Sequence, residues 1–486
     1  MSKDSRDSTR SSRRSGLRLA SGPAIAVVVY AALGSAAGLE EAGRATAALA
    51  AWMAAWWMTE AIPVYATALL PLALFPLLGV ADVGAAAAPY GNSLIFLFLG
   101  GFVIAIAMER WGLHQRIAHA ALAMVGDRAD RMVGAFIAIT AFLSMWISNT
   151  ATATMMLPIA LSVIARARGP GADEEDPRAG RFAVALLLGL AYGASLGGVA
   201  TLIGTPPNLF LASFAREALG VEIGFAEWLG MALPMVAAWL VVLWVLLTRV
   251  LYPCGGLRLR TGAAAGEPAG PMSAGEKRTL AVFAGAAVLW ISRPWLAGLE
   301  MAGMRPFAGL TDTGIAILAA VVLFCLPAGG GRRLMDWASM QRLPWGVLLL
   351  FGGGLSLAAA MQDNGVSAWI GTQLTRGGGL PPVLVLALGI LLMVFLTELT
   401  SNTATTAAMV PVYAAAATGL GVSPMLLAAG AAVAASCAFM LPVATPPNAI
   451  VFGSGRLEIR HMVRAGLWMN GLSVVFVTAW TWIAFG

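Results

Sequence analysis

The chain has 486 residues, 59% of them hydrophobic and 11% charged, with a mean hydropathy of +0.81 and a formal net charge of +6. So few polar residues cannot cover a water-facing surface, which excludes a soluble domain; apolar runs of about 20 residues point to membrane helices rather than the alternating strands of a barrel. The positive charge does not mark a nucleic-acid binder, because the basic residues lie between apolar runs instead of along one face.

Residues 1–20 form an Arg/Ser-rich tail expected in the cytoplasm. The apolar run at 22–38, inside a first transmembrane segment 21–44, reads as a retained anchor, although its layout also resembles a signal peptide with twin-arginine character. Further runs near 45–60, 62–80, 93–111, 182–203, 228–251, 277–292, 311–327, 344–361, 425–443 and 463–485 bring the expected crossings to eleven. Two more stretches, 132–165 and 381–417, have polar centres and are long enough to enter the membrane, break and return as re-entrant hairpins. With the N-terminus inside and the C-terminus outside, 25 of the 30 Lys and Arg residues fall in cytoplasmic segments, leaving Arg44, Arg216, Arg293, Arg305 and Arg376 outside. Counting either hairpin as an ordinary crossing spoils this bias.

The polar centres are copies of each other. Ser148-Asn149-Thr150-Ala151-Thr152 recurs as Ser401-Asn402-Thr403-Ala404-Thr405, followed by Pro158 and Pro411. An offset of 253 residues also pairs Gly100 with Gly353, Gly101 with Gly354, Met108 with Met361, Gly112 with Gly365 and Ser144 with Thr397. Thr205-Pro206-Pro207-Asn208 matches Thr445-Pro446-Pro447-Asn448 at an offset of 240, the difference being a polar loop at 166–181 that only the first copy has. An odd number of crossings separates the copies, so the second is inverted relative to the first. The expected organisation is a first repeat over 45–252, with its hairpin at 132–165 and a broken helix at 204–208. A cytoplasmic linker follows at 253–276, and then a second repeat over 277–486, with its hairpin at 381–417 and a broken helix at 444–448.

A helix interrupted inside the membrane frees carbonyl oxygens at one end and amide hydrogens at the other, suiting a small cation and an anion respectively. Asn149, Asn402, Ser144, Ser148 and Thr397 add the oxygens that sodium prefers, and serine and threonine hydroxyls serve a carboxylate or sulfate equally well. Prolines 206, 207, 446 and 447 are expected to force the breaks. Alone, such a cluster is ordinary interhelical glue; its inverted duplication beside helix breakers marks a binding site.

Other features carry less. Cys254, Cys325 and Cys437 lack paired spacing, and His114, His119 and His461 form no metal motif. Glu398, one residue from Thr397, reads as either a proton relay or a structural hydrogen-bonding group; Glu60 reads as structural. Trp52, Trp56 and Trp57 read as interface anchors, and Asp173-Glu174-Glu175-Asp176 as a solvated loop.

At these residues the chain resembles the divalent anion/sodium symporter (INDY-type) family. The resemblance rests on Met145 to Thr152, Leu396 to Thr406, Trp57-Met58-Thr59-Glu60-Ala61-Ile62-Pro63 and both Thr-Pro-Pro-Asn runs, and it extends over nearly everything after residue 20. It implies that Ser148, Asn149, Thr150, Ser401, Asn402 and Thr403 bind substrate carboxylates, with Thr205-Pro206 and Thr445-Pro446 close by. It implies one sodium site from Ser144, Ser148, Asn149 and Gly204, and a mirror site from Thr397, Thr400, Asn402 and Ala444. It further implies a homodimer in the lipid bilayer, with a scaffold domain and a transport domain that moves as a rigid body.

The expected protein is therefore an all-α integral membrane protein of the cell membrane that takes up dicarboxylates such as succinate, fumarate or malate with sodium, by an elevator-type alternating-access mechanism. Its expected partners are a small dianion, Na+ as the coupling ion and lipid, with no organic cofactor and no nucleic acid. A sodium-independent dicarboxylate exchanger, a sulfate or citrate carrier, and an anion channel remain the alternatives. An enzyme would need a nucleophile with a base, or a metal set, and neither is present in the sequence.

Overall fold

The computed structural model describes residues 3–35, 38–167, 177–259, 270–301, 303–375 and 381–486. The acidic run 173–176, the centre of the expected linker at 260–269 and Arg376 lie outside the described residues.

The N-terminal part contains α1 (Lys3–Ala32), α2 (Glu41–Thr59), α3 (Val64–Thr67), α4 (Leu70–Leu77), α5 (Val83–Ala87) and α6 (Ser93–Arg110). Then come α7 (Leu113–Ala123), α8 (Ala129–Ser144), α9 (Asn149–Ala167), α10 (Pro177–Val199), α11 (Pro206–Leu219), α12 (Phe225–Val245) and α13 (Ala274–Gly298). The second half holds α14 (Asp312–Cys325), α15 (Trp345–Asp363), α16 (Val366–Thr375), α17 (Pro382–Thr397), α18 (Asn402–Gly419), α19 (Pro424–Ala435), α20 (Pro446–Phe452) and α21 (Ile459–Phe485). Among the described residues the only sheet is an antiparallel pair, Pro327–Gly329 with Arg332–Arg333.

Among the described residues, six helices are long and apolar enough to cross a membrane by length and composition, and six further apolar helices run 10–17 residues. Two expected spans are not single helices. The run 62–80 divides into α3 and α4, because Pro63 precedes one and Pro71 opens the other, each where proline's missing N–H costs no helical bond. The run 425–443 is helical only to Ala435 and continues unwound to Thr445.

The breaks likewise sit earlier than the expected 204–208 and 444–448. Residues 200–205 and 436–445 are the unwound segments, and Pro206 and Pro446 begin the helices that follow. The prolines therefore start helices rather than break them. The N-caps Thr205 (φ −146°, ψ 142°) and Thr445 (φ −140°, ψ 151°) are near copies in backbone as well as in sequence.

Packing interlocks the two repeats. The pair α8–α9 lies on α10, and the pair α17–α18 lies on α19. Across the repeats, α20 touches α9 and α10, while α11 touches α18 and α19, so each half-helix is seated against the other repeat's helix pair. Helix α10 is buried on all sides from Phe182 to Val199, as an all-apolar circumference requires. Of the three tryptophans expected to anchor an interface, Trp56 and Trp57 are instead buried, and Trp52 is partly buried. Trp57 is 1% exposed and donates to the Val64 carbonyl at 3.0 Å, and Trp56 donates to the Leu19 carbonyl at 3.1 Å, because α1 lies along α2.

Close helix contact depends on glycine at a few points. A side chain on Gly193 would meet the Ile137 carbonyl oxygen at 3.0 Å, and one on Gly197 would overlap the Ala141 backbone, so α8 and α10 touch along their main chains. Gly197→Val should cost about 1–3 kcal/mol or more by overpacking and lower the thermal midpoint of the purified protein. Gly230→Ala, with open space around its Cβ on α12, should leave that midpoint unchanged or slightly raised. Equal midpoints for Gly197→Val and the parent chain would contradict this packing.

Candidate functional site

The turns 145–148 and 398–401 join the helices of each pair, and Asn149 and Asn402 are the first residues of α9 and α18. Ser148 supplies two oxygens to the start of α9: its Oγ accepts from the Ala151 N–H at 3.2 Å and its carbonyl from the Thr152 N–H at 3.0 Å. The Ser401 carbonyl accepts from Thr405 N–H at 2.8 Å in the same way. Polar residues end one helix and start the next here, because their side chains satisfy the backbone groups a turn leaves open.

Both turns open into one cavity of about 780 Å³. All ten residues expected to bind substrate line it: Ser148, Asn149, Thr150, Thr205 and Pro206 from the first repeat, and Ser401, Asn402, Thr403, Thr445 and Pro446 from the second. Of the residues expected at sodium, Gly204, Thr400 and Ala444 also reach the wall, while Ser144 and Thr397 sit fully buried behind it.

Behind each turn the same hydrogen bond recurs. Ser144 Oγ donates to Asn149 Oδ1 at 2.5 Å, and Thr397 Oγ1 donates to Asn402 Oδ1 at 2.7 Å, with the Ala435 carbonyl 2.8 Å away. In the first repeat the oxygens crowd further: a Cβ on Gly198 would lie 2.7 Å from Asn149 Oδ1 and 3.1 Å from the Gly204 carbonyl oxygen. Hydroxyl, amide and carbonyl oxygens therefore converge beside Gly198, a donor set that suits a hard monovalent cation. The second repeat has Ala438 and Ala444 at the corresponding places. The Thr400 hydroxyl is already engaged, 2.8 Å from the Leu396 carbonyl and 2.6 Å from Thr405 Oγ1, which leaves its main chain as the oxygen source.

No charged side chain belongs to either turn's cavity face. The charged residues on the wall are Glu60, Glu109 and Arg342, with Arg342 bound to Glu109 at 2.6 Å. Tyr65, Phe98 and Phe102 supply aromatic surface. These six were not singled out by the sequence as lining residues, because separate segments bring them together. Glu60 carries one local signal: its backbone is left-handed at φ 47°, where a residue with a side chain is uncommon.

Glu398 is 3% exposed and fully engaged. Its Oε1 accepts from Phe439 N–H at 2.7 Å, Met440 N–H at 2.8 Å and Asn470 Nδ2 at 2.8 Å, and its Oε2 accepts from Leu441 N–H at 3.0 Å. Of the two roles open from sequence, these four donors match the structural one: the carboxylate holds the unwound segment of the second repeat. Glu398→Gln turns an amide donor toward those N–H groups and should cost about 2–4 kcal/mol, read as a lowered thermal midpoint in sodium-free buffer. An unchanged midpoint together with an altered pH profile of transport would restore the relay.

Comparison with known proteins places this geometry. A family model described as the sodium:sulfate symporter transmembrane region matches residues 18–486. The sodium-dependent dicarboxylate transporter SdcS of Staphylococcus saprophyticus is 40% identical over 450 residues, covering 90% of this chain and 85% of that protein. SdcS of Staphylococcus aureus strain USA300 is 40% identical over 441 residues, covering 88% and 84%. Two solved structures share the fold at low identity. The YdaH transporter of Alcanivorax borkumensis has a TM-score of 0.54 at 13% identity, covering 85% of this chain and 89% of its own. MtrF of Neisseria gonorrhoeae, described among antimetabolite efflux pumps, has a TM-score of 0.55 at 14% identity, covering 86% and 84%. An oxygen-rich cavity between interlocked repeats, with duplicated turns that bring no charged side chain to it, thus sits in a chain that belongs to the sodium:sulfate symporter family of membrane transporters.

Proposed function

We propose that the protein carries four-carbon dicarboxylates such as succinate, fumarate or malate into the cell together with sodium. The observation that carries this reading is the single cavity into which the starts of α9 and α18 both open. Each start offers unpaired backbone N–H groups, the positive end of a helix dipole and serine or threonine hydroxyls. Two such ends suit a molecule with a carboxylate at each end, and the cavity volume leaves room for four carbons.

The lack of a fixed positive charge on the turns supplies the reason for sodium. A dianion moving inward against 100 mV, inside negative, costs about 4.6 kcal/mol, twice the ~2.3 kcal/mol per charge. Two sodium ions cancel that term and a third reverses it. Ser144, Ser148, Asn149 and Gly204 would hold one ion, and Thr397, Thr400, Asn402 and Ala444 the other. The names of the Staphylococcus relatives, sodium-dependent dicarboxylate transporters at 40% identity, support this pairing of ion and substrate.

In the working molecule α8–α9 and α17–α18 are re-entrant hairpins. They move with α10, α11, α19 and α20 as a transport domain, against a scaffold that pairs two copies in the cell membrane. Arg342 on the cavity wall lies in a segment that the basic-residue bias assigns to the cytoplasm, which supports a cavity that opens inward. Passage outward is then a displacement of the hairpins, not a continuous pore.

Purified protein in liposomes should accumulate labelled succinate only under an inward sodium gradient, and faster with the interior negative if more than two ions accompany each dianion. Equal uptake without sodium, uptake only against internal dicarboxylate, or preference for sulfate would each overturn the reading. Asn149→Ala and Asn402→Ala should each raise the sodium concentration for half-maximal uptake about tenfold or more, the loss of one neutral amide oxygen from the ion. Unchanged sodium dependence in both variants would remove these residues from the ion sites.

A further inference from the structure

The two asparagines that end the Thr-Pro-Pro-Asn runs lie behind the wall rather than on it. Asn208 and Asn448 are both fully buried and neither lines the cavity. Asn208 Nδ2 reaches back across the unwound segment to the carbonyls of Gly198 at 3.1 Å, Val199 at 3.0 Å and Thr201 at 2.8 Å. Asn448 Nδ2 does the same in the second repeat, to the carbonyls of Ala438 at 3.3 Å and Leu441 at 3.0 Å. Gly198 corresponds to Ala438 and Thr201 to Leu441 at the offset that relates the two runs, so inverted copies use the same side chain on the same carbonyls. In both, Oδ1 is buried without a hydrogen-bond partner. An interior amide usually satisfies both halves; these two keep only the donor half, so it is the donor that the site uses.

The carbonyls so gathered are those a broken helix leaves open, and they flank the oxygens already described. Gly198 is the residue whose Cα faces Asn149 Oδ1 and the Gly204 carbonyl. The Thr201 hydroxyl ties the same segment to the hairpin turn by donating to the Met145 carbonyl at 2.5 Å. In the second repeat Glu398 makes the corresponding tie through the 439–441 amides.

We propose that Asn208 and Asn448 are positioning residues for the two sodium sites: each amide gathers the carbonyls of its unwound segment and thereby sets Gly204 or Ala444 at the distance from the hairpin turn that an ion needs. Neither asparagine touches the ion or the substrate. This rests on the sodium-coupled reading above. A cation held by main-chain carbonyls tolerates little displacement of them, whereas an anion held by hydroxyls and helix ends on the opposite face of the turn does not depend on the 198–201 carbonyls. Loss of the clamp therefore separates sodium affinity from substrate affinity.

The experiment uses the full chain in proteoliposomes, with Asn208→Ser, Asn208→Leu, which keeps the branched shape without donors, and Asn448→Ser. Uptake of labelled succinate is measured across sodium concentrations, then across succinate at saturating sodium. Each variant should raise the sodium concentration for half-maximal uptake about tenfold, with succinate KM at saturating sodium unchanged. Asn448→Ser removes two bonds where the Asn208 variants remove three, so it reads the same effect if those fail to fold. A variant that melts earlier yet keeps wild-type sodium dependence makes the clamp a mere staple and overturns the proposal. A parallel rise of sodium requirement and succinate KM at saturating sodium also overturns it. Sodium-independent uptake by the unaltered protein would instead defeat the transport reading, and the proposal with it.

Discussion

A dicarboxylate must be stripped of water and held inside the membrane, and at the two turns of this cavity no side chain with a fixed positive charge is present to hold it. The geometry meets this constraint with helix ends. Asn149 and Asn402 each begin a helix at one cavity, so helix starts whose first backbone N–H groups have no partner within the helix open into that cavity. A lysine or arginine in the same position would bind the dianion without sodium and would carry its charge across the bilayer at every turnover. Arg342, on the same cavity wall, is bound to Glu109 rather than standing as an unpaired positive charge.

The symmetry is close in the main chain and looser in the side chains. Thr205 and Thr445 cap their helices with nearly equal dihedrals, and Ser144–Asn149 and Thr397–Asn402 make equivalent hydrogen bonds. The unwound segments are tied differently: a threonine hydroxyl to a carbonyl in the first repeat, a buried carboxylate to three amides in the second. Glycines 198 and 204 are matched by alanines 438 and 444. The two proposed ion sites therefore share ligand types without sharing surroundings, and equal sodium affinities are not expected of them.

Much of the site was legible because its parts are local words repeated. Ser-Asn-Thr and Thr-Pro-Pro-Asn each need only a few consecutive residues, and their repetition at offsets of 253 and 240 marks both copies. What depends on distant segments meeting was not legible. The prolines were expected to break helices, yet they start them, since the breaks are placed by the unwound stretches before Thr205 and Thr445. The burial of Trp56 and Trp57 follows from packing on α1 and α15. Gly198 stands in no motif, and only the approach of Asn149 gives it a role.

A structure of the protein determined with sodium and succinate tests the central claim most directly. The account predicts one dicarboxylate with a carboxylate group at Ser148–Thr150 and the other at Ser401–Thr403, and a cation beside Asn149 Oδ1 and the Gly204 carbonyl. Succinate bound at a single turn, or held by Arg342, with no cation behind either turn, would contradict it.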